Sequence, residues 1–375
     1  MRYVILFAIC WCTSAVHGQQ WSLEKSLVAM NAVGNGGEGH DVAIKAWKVV
    51  GDAKADSLPE ILKAIDDGKP LAANWIRAAV DQIAERSLRE GRPLPAKELE
   101  NIVFDAGYSP RARRLAYEWL SKVDDGAEDR IIPRMLNDSS LEMRRDAVAK
   151  VLDQAVAAKD SKPAATALYK EALTAARDKD QIDAAFDALK ELGVEVDLPS
   201  HFGFITNWKL IGPFDNTAKA GFDVAYPPEG ELKFDAEYPG KTGSVKWFDH
   251  QTSDRYGMVN INEAVGKNMG AAAYAFNLFE SSSDRDVELR LGCVCANKVW
   301  LNGELVMANE VYHSGSSLDQ YVASGKLKRG RNVILLKICQ NEQTENWAQD
   351  WEFQLRICDA VGTAVLAANR PEPAK

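Results

Sequence analysis

The chain has 375 residues, with 54 acidic side chains against 45 basic ones and a formal net charge of -9. Both halves are mildly acidic, and neither carries the basic stripe by which a protein tracks nucleic-acid phosphates, so we expect no nucleic-acid partner. A chain of this length is too long for one hydrophobic core, and two domains are the natural expectation.

Residues 1–18 have the composition of a secretory signal peptide. A single Arg2 precedes an apolar run from Tyr3 to Cys12, and the small residue Gly18 follows. The run is too short to span a membrane, and the residues before Cys10 match a lipoprotein cleavage box poorly. We therefore expect cleavage near residue 18, no membrane span and a secreted or periplasmic location.

Residues 19–197 are predicted to form helical hairpins. Apolar residues recur at helical spacing, then comes a short polar break, and then a second helix. In one such break Ser109 precedes Pro110, which places a helix N-cap before proline at the first helical position. The clearest first-helix set is Leu58, Ile61, Leu62 and Ile65, and the second helices align on Ala78, Ala116 and Ala147. This recurrence indicates stacked hairpins.

The run from Asp138 to Ala147 resembles a HEAT repeat, and the run that ends at Ala116 resembles a weaker version of it. A last pair of helices, at about 163–193, has a spacing closer to that of tetratricopeptide repeats. The resemblance implies an α-solenoid of about five hairpins, whose extended surface usually holds another macromolecule. A protein partner on the helical repeats is therefore one expectation, and a merely supporting role for the neighbouring domain is the alternative.

The pattern changes near residue 198, where the helical period is lost and prolines and glycines become dense. The run from Trp208 to Asn216 is predicted to be a strand that stops at Gly212-Pro213. In all we expect about eight to ten short strands in residues 198–362, the number typical of a jelly-roll β-sandwich. Further predicted strands are Val245 to His250, Met258 to Ile261, Ala272 to Phe279 and Phe353 to Cys358. Residues 363–375 are predicted to be a flexible tail.

The strongest strand pattern lies between Asp286 and Val306. Apolar residues alternate with mostly polar or small ones, as in a half-buried strand, and a turn is expected at Ala296-Asn297. Asn302-Gly303 then supplies the positive φ angles of a type I′ hairpin turn. The alternating residues are Val287, Leu289, Leu291, Cys293 and Cys295.

The order of elements in this region resembles that of a galactose-binding-like jelly-roll domain. The elements are this strand, the VWLNG hairpin, the LKRGRN turn at 327–332 and the apolar strand at 333–338. Such domains include the sugar-binding modules attached to many glycosidases. The chain as a whole resembles a group of secreted bacterial HEAT-repeat proteins with a C-terminal domain of this kind. The features that carry this resemblance are these elements, the helical repeats and the runs WKLIGPFDN, YPPE and QNEQ. The resemblance implies an architecture and a location, and no reaction.

Several short motifs do not support a cofactor or metal site. Gly34, Gly36 and Gly39 match GxGxxG by letter, but no strand precedes them, so they indicate a glycine-rich loop. No HExxH or GxSxG run occurs, and the histidines after residue 18 are widely spaced. We expect no cofactor and no metal.

Four cysteines follow the predicted signal peptide. Cys293 and Cys295 lie on the same strand face as the leucines, which suits small buried side chains. Cys339 and Cys358 are out of phase with the apolar residues of their strands, so they could face each other across neighbouring strands. A disulfide between Cys339 and Cys358 is one expectation in an oxidising compartment, and free thiols are the alternative.

The most informative polar segment runs from Gln340 to Trp351. Amides, carboxylates and two tryptophans are what a sugar site uses, because an aromatic face stacks on a pyranose ring and planar groups bond neighbouring hydroxyls. The alternative is that Trp347 and Trp351 pack into the sandwich and the amides only cap strands. The candidate ligand-binding residues are Gln340, Asn341, Gln343, Asn346, Trp347 and Asp350.

The sequence therefore favours a non-catalytic secreted binding protein with carbohydrate as the leading ligand. A purely structural scaffold without a sugar site is the rival hypothesis. A glycoside-active enzyme is a remote alternative, since Glu342, Glu345 and Asp350 are carboxylates but no nucleophile stands out and the required separation across a cleft is not visible in a sequence.

Overall fold

The computed structural model describes residues 21–370, so the predicted signal peptide lies outside the described residues. Helices dominate before residue 203 and antiparallel strands dominate after it, which confirms a mixed helical and β architecture. The helices are α1 (Leu23–Met30), α2 (His40–Gly51), α3 (Leu58–Lys63), α4 (Pro70–Arg89), α5 (Ala96–Phe104), α6 (Pro110–Ser121), α7 (Ala127–Ile131), α8 (Leu141–Ala157), α9 (Lys162–Ala175), α10 (Lys179–Glu191), α11 (Leu198–Phe202), α12 (Pro227–Gly230) and α13 (Ile261–Ala264).

The described residues divide into two compact units, the first ending at Ala147 and the second beginning at Val148. Within the first unit, the predicted apolar face of α3 is buried, with Leu58, Ile61 and Leu62 fully enclosed in one core with side chains of α4, α5 and α6. Ser109 caps α6 as expected, because its hydroxyl accepts a hydrogen bond of 3.3 Å from the Ala112 amide. None of the helices in residues 21–370 is long and apolar enough to cross a membrane.

Two antiparallel sheets form the β part of the second unit, and a small two-stranded sheet is separate from them. The six-stranded sheet has the order β4-β1-β6-β11-β8-β9, the four-stranded sheet has the order β10-β7-β12-β5, and β2 pairs with β3. The strands are β1 (Asn207–Asp215), β2 (Glu237–Pro239), β3 (Ser244–Lys246), β4 (Phe248–Gln251), β5 (Val259–Asn260), β6 (Ala271–Ser281), β7 (Arg285–Cys293), β8 (Ala296–Leu301), β9 (Glu304–Asn309), β10 (Tyr321–Leu327), β11 (Gly330–Gln340) and β12 (Glu352–Cys358).

A shared core joins the two large sheets. The alternating residues of β7, among them Leu289 and Leu291, are fully buried in the same apolar cluster as Ile334 and Leu336 of β11. Asn302 and Gly303 have φ angles of 53° and 86°, as the predicted hairpin turn between β8 and β9 requires.

Three local predictions need correction. The turn expected at Ala296-Asn297 lies earlier, and it carries the chain from β7 in one sheet to β8 in the other. The strand expected to stop at Gly212-Pro213 continues to Asp215, because a bulge between Ile211 and Phe214 absorbs the irregularity and pairing with β6 resumes. The described strands number twelve, more than expected, since several are only two to four residues long.

The described part of the predicted flexible tail is packed. Val365 is 3% exposed, and its amide donates to the Ile357 carbonyl at 2.9 Å. Further along, Ala368 donates to the Glu280 carbonyl at 2.8 Å. Backbone hydrogen bonds to β12 and β6 therefore hold this segment against the sheets.

The helices α9 and α10 belong to the same compact unit as the sheets. The Tyr256 hydroxyl donates to Asp183 of α10 at 2.7 Å, and Arg255 lies 3.2 Å from Asp187 of the same helix. Arg177 donates to the Val361 carbonyl at 2.9 Å. The change of pattern near residue 198 thus marks a change of secondary structure within one unit.

Candidate functional site

The loop from Asn341 to Trp351 is fixed at both ends by buried side chains. Gln340, at the end of β11, is fully buried, and its amide nitrogen donates to the carbonyls of Ala348 at 3.1 Å and Asp350 at 3.4 Å. Trp351 is also fully buried, and its indole nitrogen donates to the Ile338 carbonyl at 3.3 Å. Gln340, which was predicted to bind ligand, and Trp351 therefore hold the loop in shape from its buried side.

Asn341 is 4% exposed and organises the first turn of the loop. Its side-chain oxygen accepts hydrogen bonds from the Gln343 amide at 3.1 Å and from His313 Nε2 at 3.0 Å, and its nitrogen donates to Gln343 Oε1 at 2.9 Å. Because that oxygen only accepts, His313 carries a proton on Nε2 in this arrangement. The side-chain oxygen and nitrogen of Asn341 and the side-chain oxygen of Gln343 thus form hydrogen bonds within the protein.

Trp347 is the exception, because its side chain is 64% exposed. Its ring meets the His313 ring edge-on, with centroids 5.3 Å apart and planes at 79°. Asn346 and Asp350 are also exposed. Of the six predicted ligand-binding residues, these three lie on the surface of the loop, and the indole of Trp347 is its dominant apolar feature.

A neighbouring surface extends from His313 to Tyr312 and Lys219. The two rings of Tyr312 and His313 have centroids 6.4 Å apart, and the Lys219 ammonium lies 5.0 Å from the Tyr312 ring centre. Burial raises the pKa of Tyr312 to about 12, against the opposing effect of its hydrogen bond with Asn216, so its phenol stays protonated at neutral pH. Sequence reasoning missed this surface, since residues 312–313 lie on a different connection from the loop.

Two acidic residues of this loop take part in anchoring it. Glu342 accepts a hydrogen bond from the backbone amide of Ala218, so it ties the loop to residues 217–222. Asp350 contributes its backbone carbonyl to the anchoring of the loop, where it accepts from the Cys295 thiol at 3.2 Å. Among residues 21–370, no group of three or more histidine, cysteine or acidic side chains is arranged to hold a metal ion.

All four described cysteines are buried and free. Cys339 lies on β11 in the six-stranded sheet and Cys358 on β12 in the four-stranded sheet, so their strands are not neighbours as the disulfide prediction required. Cys339 is out of phase with the core of β11 because it faces the other side of its sheet, where Ile211 and Tyr274 cover it. Burial raises the pKa of Cys339 to about 12 and that of Cys358 to about 11.

A cleft of about 700 Å³ lies between the edge strands β9 and β10. Its lining includes the acidic side chains Asp286 and Glu304 and the basic side chains Lys326 and Lys328. None of its lining residues is aromatic. The cleft therefore offers no platform on which a sugar ring would stack, unlike the surface of Trp347.

No family model matches the chain, and no curated protein matches it. Solved structures similar to parts of the chain include an anti-sigma factor domain-containing protein, with 10% identity, 43% of this chain and 48% of that chain covered and a TM-score of 0.24. A beta-glucosidase from Kluyveromyces marxianus in complex with glucose shows 10% identity, coverage of 75% and 35%, and a TM-score of 0.26. The chain thus spans less than half of each of these two proteins.

A third similar structure is the alkylpurine DNA glycosylase AlkC from Pseudomonas fluorescens, bound to DNA containing an abasic site analog. It shows 11% identity, coverage of 92% of this chain and 97% of that chain, and a TM-score of 0.22. Likenesses at these scores bear on neither the fold nor the function of the chain.

Proposed function

We propose that the protein is a non-catalytic, secreted or periplasmic binding protein whose C-terminal β unit binds carbohydrate at Trp347. The observation that carries the proposal is the 64% exposure of Trp347 on a loop whose two ends are fully buried. A large aromatic side chain held out in water has a free face, and sugar rings stack their apolar side on such faces. Because the loop is already ordered, little entropy would be lost on binding.

The polar groups beside Trp347 supply what a sugar needs in addition. The exposed amide of Asn346 and carboxylate of Asp350 are planar groups that bond adjacent hydroxyls. Tyr312, whose pKa is raised to about 12 chiefly by burial, would act as a neutral hydroxyl donor. The buried amides of Gln340 and Asn341 would act indirectly, since they hold the loop in shape.

The finer architecture belongs to the same proposal. We infer that the helices of residues 19–197 stack as a HEAT-like α-solenoid and that residues 198–362 form a jelly roll of the galactose-binding-like kind. Support for the jelly roll comes from two antiparallel sheets with one shared core and from the β7 to β8 connection, which passes from one sheet to the other. The rival hypothesis is a scaffold in which these sheets bind no sugar.

The test compares wild-type protein with Trp347→Ala on a glycan array and in thermal melts with the sugars that bind. We expect the substitution to weaken sugar binding about tenfold or more, which corresponds to about 1.4 kcal/mol. The unliganded stability should change little, because an exposed side chain leaves no cavity. Val322→Ala is a matched control, since Val322 is 52% exposed and lies on β10.

Three results would contradict the proposal. If no glycan binds the wild type, the scaffold hypothesis is favoured. If Trp347→Ala binds as tightly as Val322→Ala, the sugar lies elsewhere. If a bound oligosaccharide is cleaved, the protein is a glycoside-active enzyme.

A further inference from the structure

The two large sheets end in the edge strands β4, β9, β10 and β5, of which β10 is the longest. It has 7 residues, whereas β9 has 6, β4 has 4 and β5 has 2. β10 pairs with β7 in one continuous register, while β9 pairs with β8 across a register shift between Val299 and Trp300. Such an irregularity twists an edge away from a further strand. Among these edges, β10 is therefore the long and regular one.

One side of β10 has no strand beside it. Alternate residues of a strand direct their N–H and C=O groups to opposite sides, and within residues 21–370 the backbone of β10 has no hydrogen bonds besides those to β7. Natural proteins often block such an edge with proline, a bulge or an inward-pointing charge. β10 has no proline, and its one charged residue, Lys326, is exposed. The edge is thus open to pairing with another strand.

The cleft of about 700 Å³ between β9 and β10 lies along this open side, where Ser324, Gly325 and Lys326 line it. At Gly325 a Cβ would lie only 2.8 Å from side-chain carbons of Leu289 and Leu301, so the position requires glycine. The cleft and the missing side chain leave room for the inward-facing side chains of an added strand.

The sequence of β10 fits a second copy of itself. In an antiparallel pair centred on Ser324, Val322 of one copy lies opposite Lys326 of the other. The two Lys326 residues are then about 13 Å apart along the strands, so no like charges are opposed. Val322 is 52% exposed and would pack against the aliphatic stem of the opposite lysine. Lys326 also lies opposite Asp286 of β7 in its own chain, which balances its charge.

We propose that β10 is a dimerisation edge, at which two copies of the chain pair their β10 strands antiparallel about a two-fold axis through Ser324. The four-stranded sheets of the two copies would then join into one sheet. A contact that is the same on both copies closes on itself, so it gives a dimer and not a fibre. A strand of 7 residues is smaller than the roughly 20 to 30 residues a side of a stable interface, so the dimer should be weak. The inference does not depend on sugar binding at Trp347.

The experiment is sedimentation velocity of the full-length protein at concentrations up to about 200 µM. We expect the wild type to shift from monomer towards dimer over this range. Ser324→Lys should weaken dimerisation about tenfold or more, because the two-fold axis sets the two new ammonium groups directly opposite each other. Within one chain the new lysine faces Glu288 of β7, so the variant should fold, which a thermal melt checks.

Leu305→Lys is the matched control, because Leu305 is 49% exposed and lies on the other edge strand of the cleft, β9. It should leave dimerisation unchanged. A monomer at every concentration, or equal dimerisation by the Ser324→Lys and Leu305→Lys variants, would overturn the proposal.

A pair of cysteine variants tests the register. On mild oxidation Ser324→Cys should form a disulfide-linked dimer faster than Val322→Cys, because the two copies of residue 324 are directly opposite and those of residue 322 are about 13 Å apart. The four described native cysteines are buried, so they should contribute little to this reaction. Equal rates for the two variants would overturn the pairing about Ser324.

Discussion

Replacing Asp319 should destabilise the β unit more than removing any exposed carboxylate. Asp319 lies between β9 and β10 and accepts from Arg356 at 2.6 Å and 2.5 Å and from Arg290 at 2.7 Å. Arg356 is 1% exposed, and its remaining recorded hydrogen bonds go to the carbonyls of Phe202 and Gly362. Asp319→Ala would therefore leave a buried guanidinium without its counter-charge.

Breaking a buried ion pair in this way costs about 3 to 5 kcal/mol. Arg290 retains Glu288 at 2.7 Å, so most of the loss should come from Arg356. Asp249→Ala serves as the control, because Asp249 is 84% exposed and its pair with Lys209 should contribute only about 0 to 1 kcal/mol. The measurement is chemical denaturation of the full-length variants, followed by near-ultraviolet circular dichroism. A loss no larger than that of the control would refute the reasoning.

The same network predicts a pH dependence. Burial raises the pKa of the Asp319 carboxyl, but the hydrogen bonds and charges of Arg356 and Arg290 outweigh it and hold the pKa below 3.8. A carboxyl with a lowered folded-state pKa stabilises the fold above its unfolded pKa of about 3.9, and this contribution is lost as the pH falls through the folded pKa. The stability difference between wild type and Asp319→Ala should therefore be constant near neutral pH and shrink below about pH 4.

Three further outcomes are expected. Trp351→Ala should cost about 3 to 5 kcal/mol of stability, in contrast to Trp347→Ala, because it leaves a cavity under the loop; thermal melts of the two variants decide this. Fragment 160–370 should melt at a higher temperature than fragment 199–370. The four buried thiols should react with a maleimide only after denaturation, as intact-mass analysis would show; these thiols belong to Cys293, Cys295, Cys339 and Cys358. A disulfide-linked pair of cysteine peptides would contradict the structure.

The spacing of apolar residues predicted helices and strands well where it followed a single period, either that of a helix or that of a strand. The alternation around Leu289 and Leu291 indicated a half-buried strand, and both side chains are fully buried. Asn302-Gly303 indicated its turn through backbone sterics alone. Pairing between strands did not follow from such patterns, because β7 and β8 are consecutive in the chain and lie in different sheets.

The candidate site was harder to predict because polarity is a poor guide to exposure. Gln340 and Asn341 are polar yet buried, since backbone carbonyls and neighbouring amides satisfy them. His313 and Tyr312 reach the same surface from the connection between β9 and β10, and no spacing in the sequence links them to the loop. Which of two tryptophans would be exposed depended on the anchoring of Trp351, which only the fold shows.

The predicted boundary near residue 198 shows the same limit of reasoning from sequence. It also explains why fragments 160–370 and 199–370 are expected to differ in melting temperature. A change from helical to strand pattern near residue 198 is real, but packing continues across it. Fragment 199–370 lacks Asp183, the acceptor for the 8% exposed Tyr256, and it lacks the Leu173 carbonyl, 3.2 Å from His201 Nε2. Burial of such polar groups costs free energy unless they form hydrogen bonds. Fragment 160–370 keeps both contacts, and equal melting temperatures would show that α9 and α10 contribute nothing to the stability of the sheets.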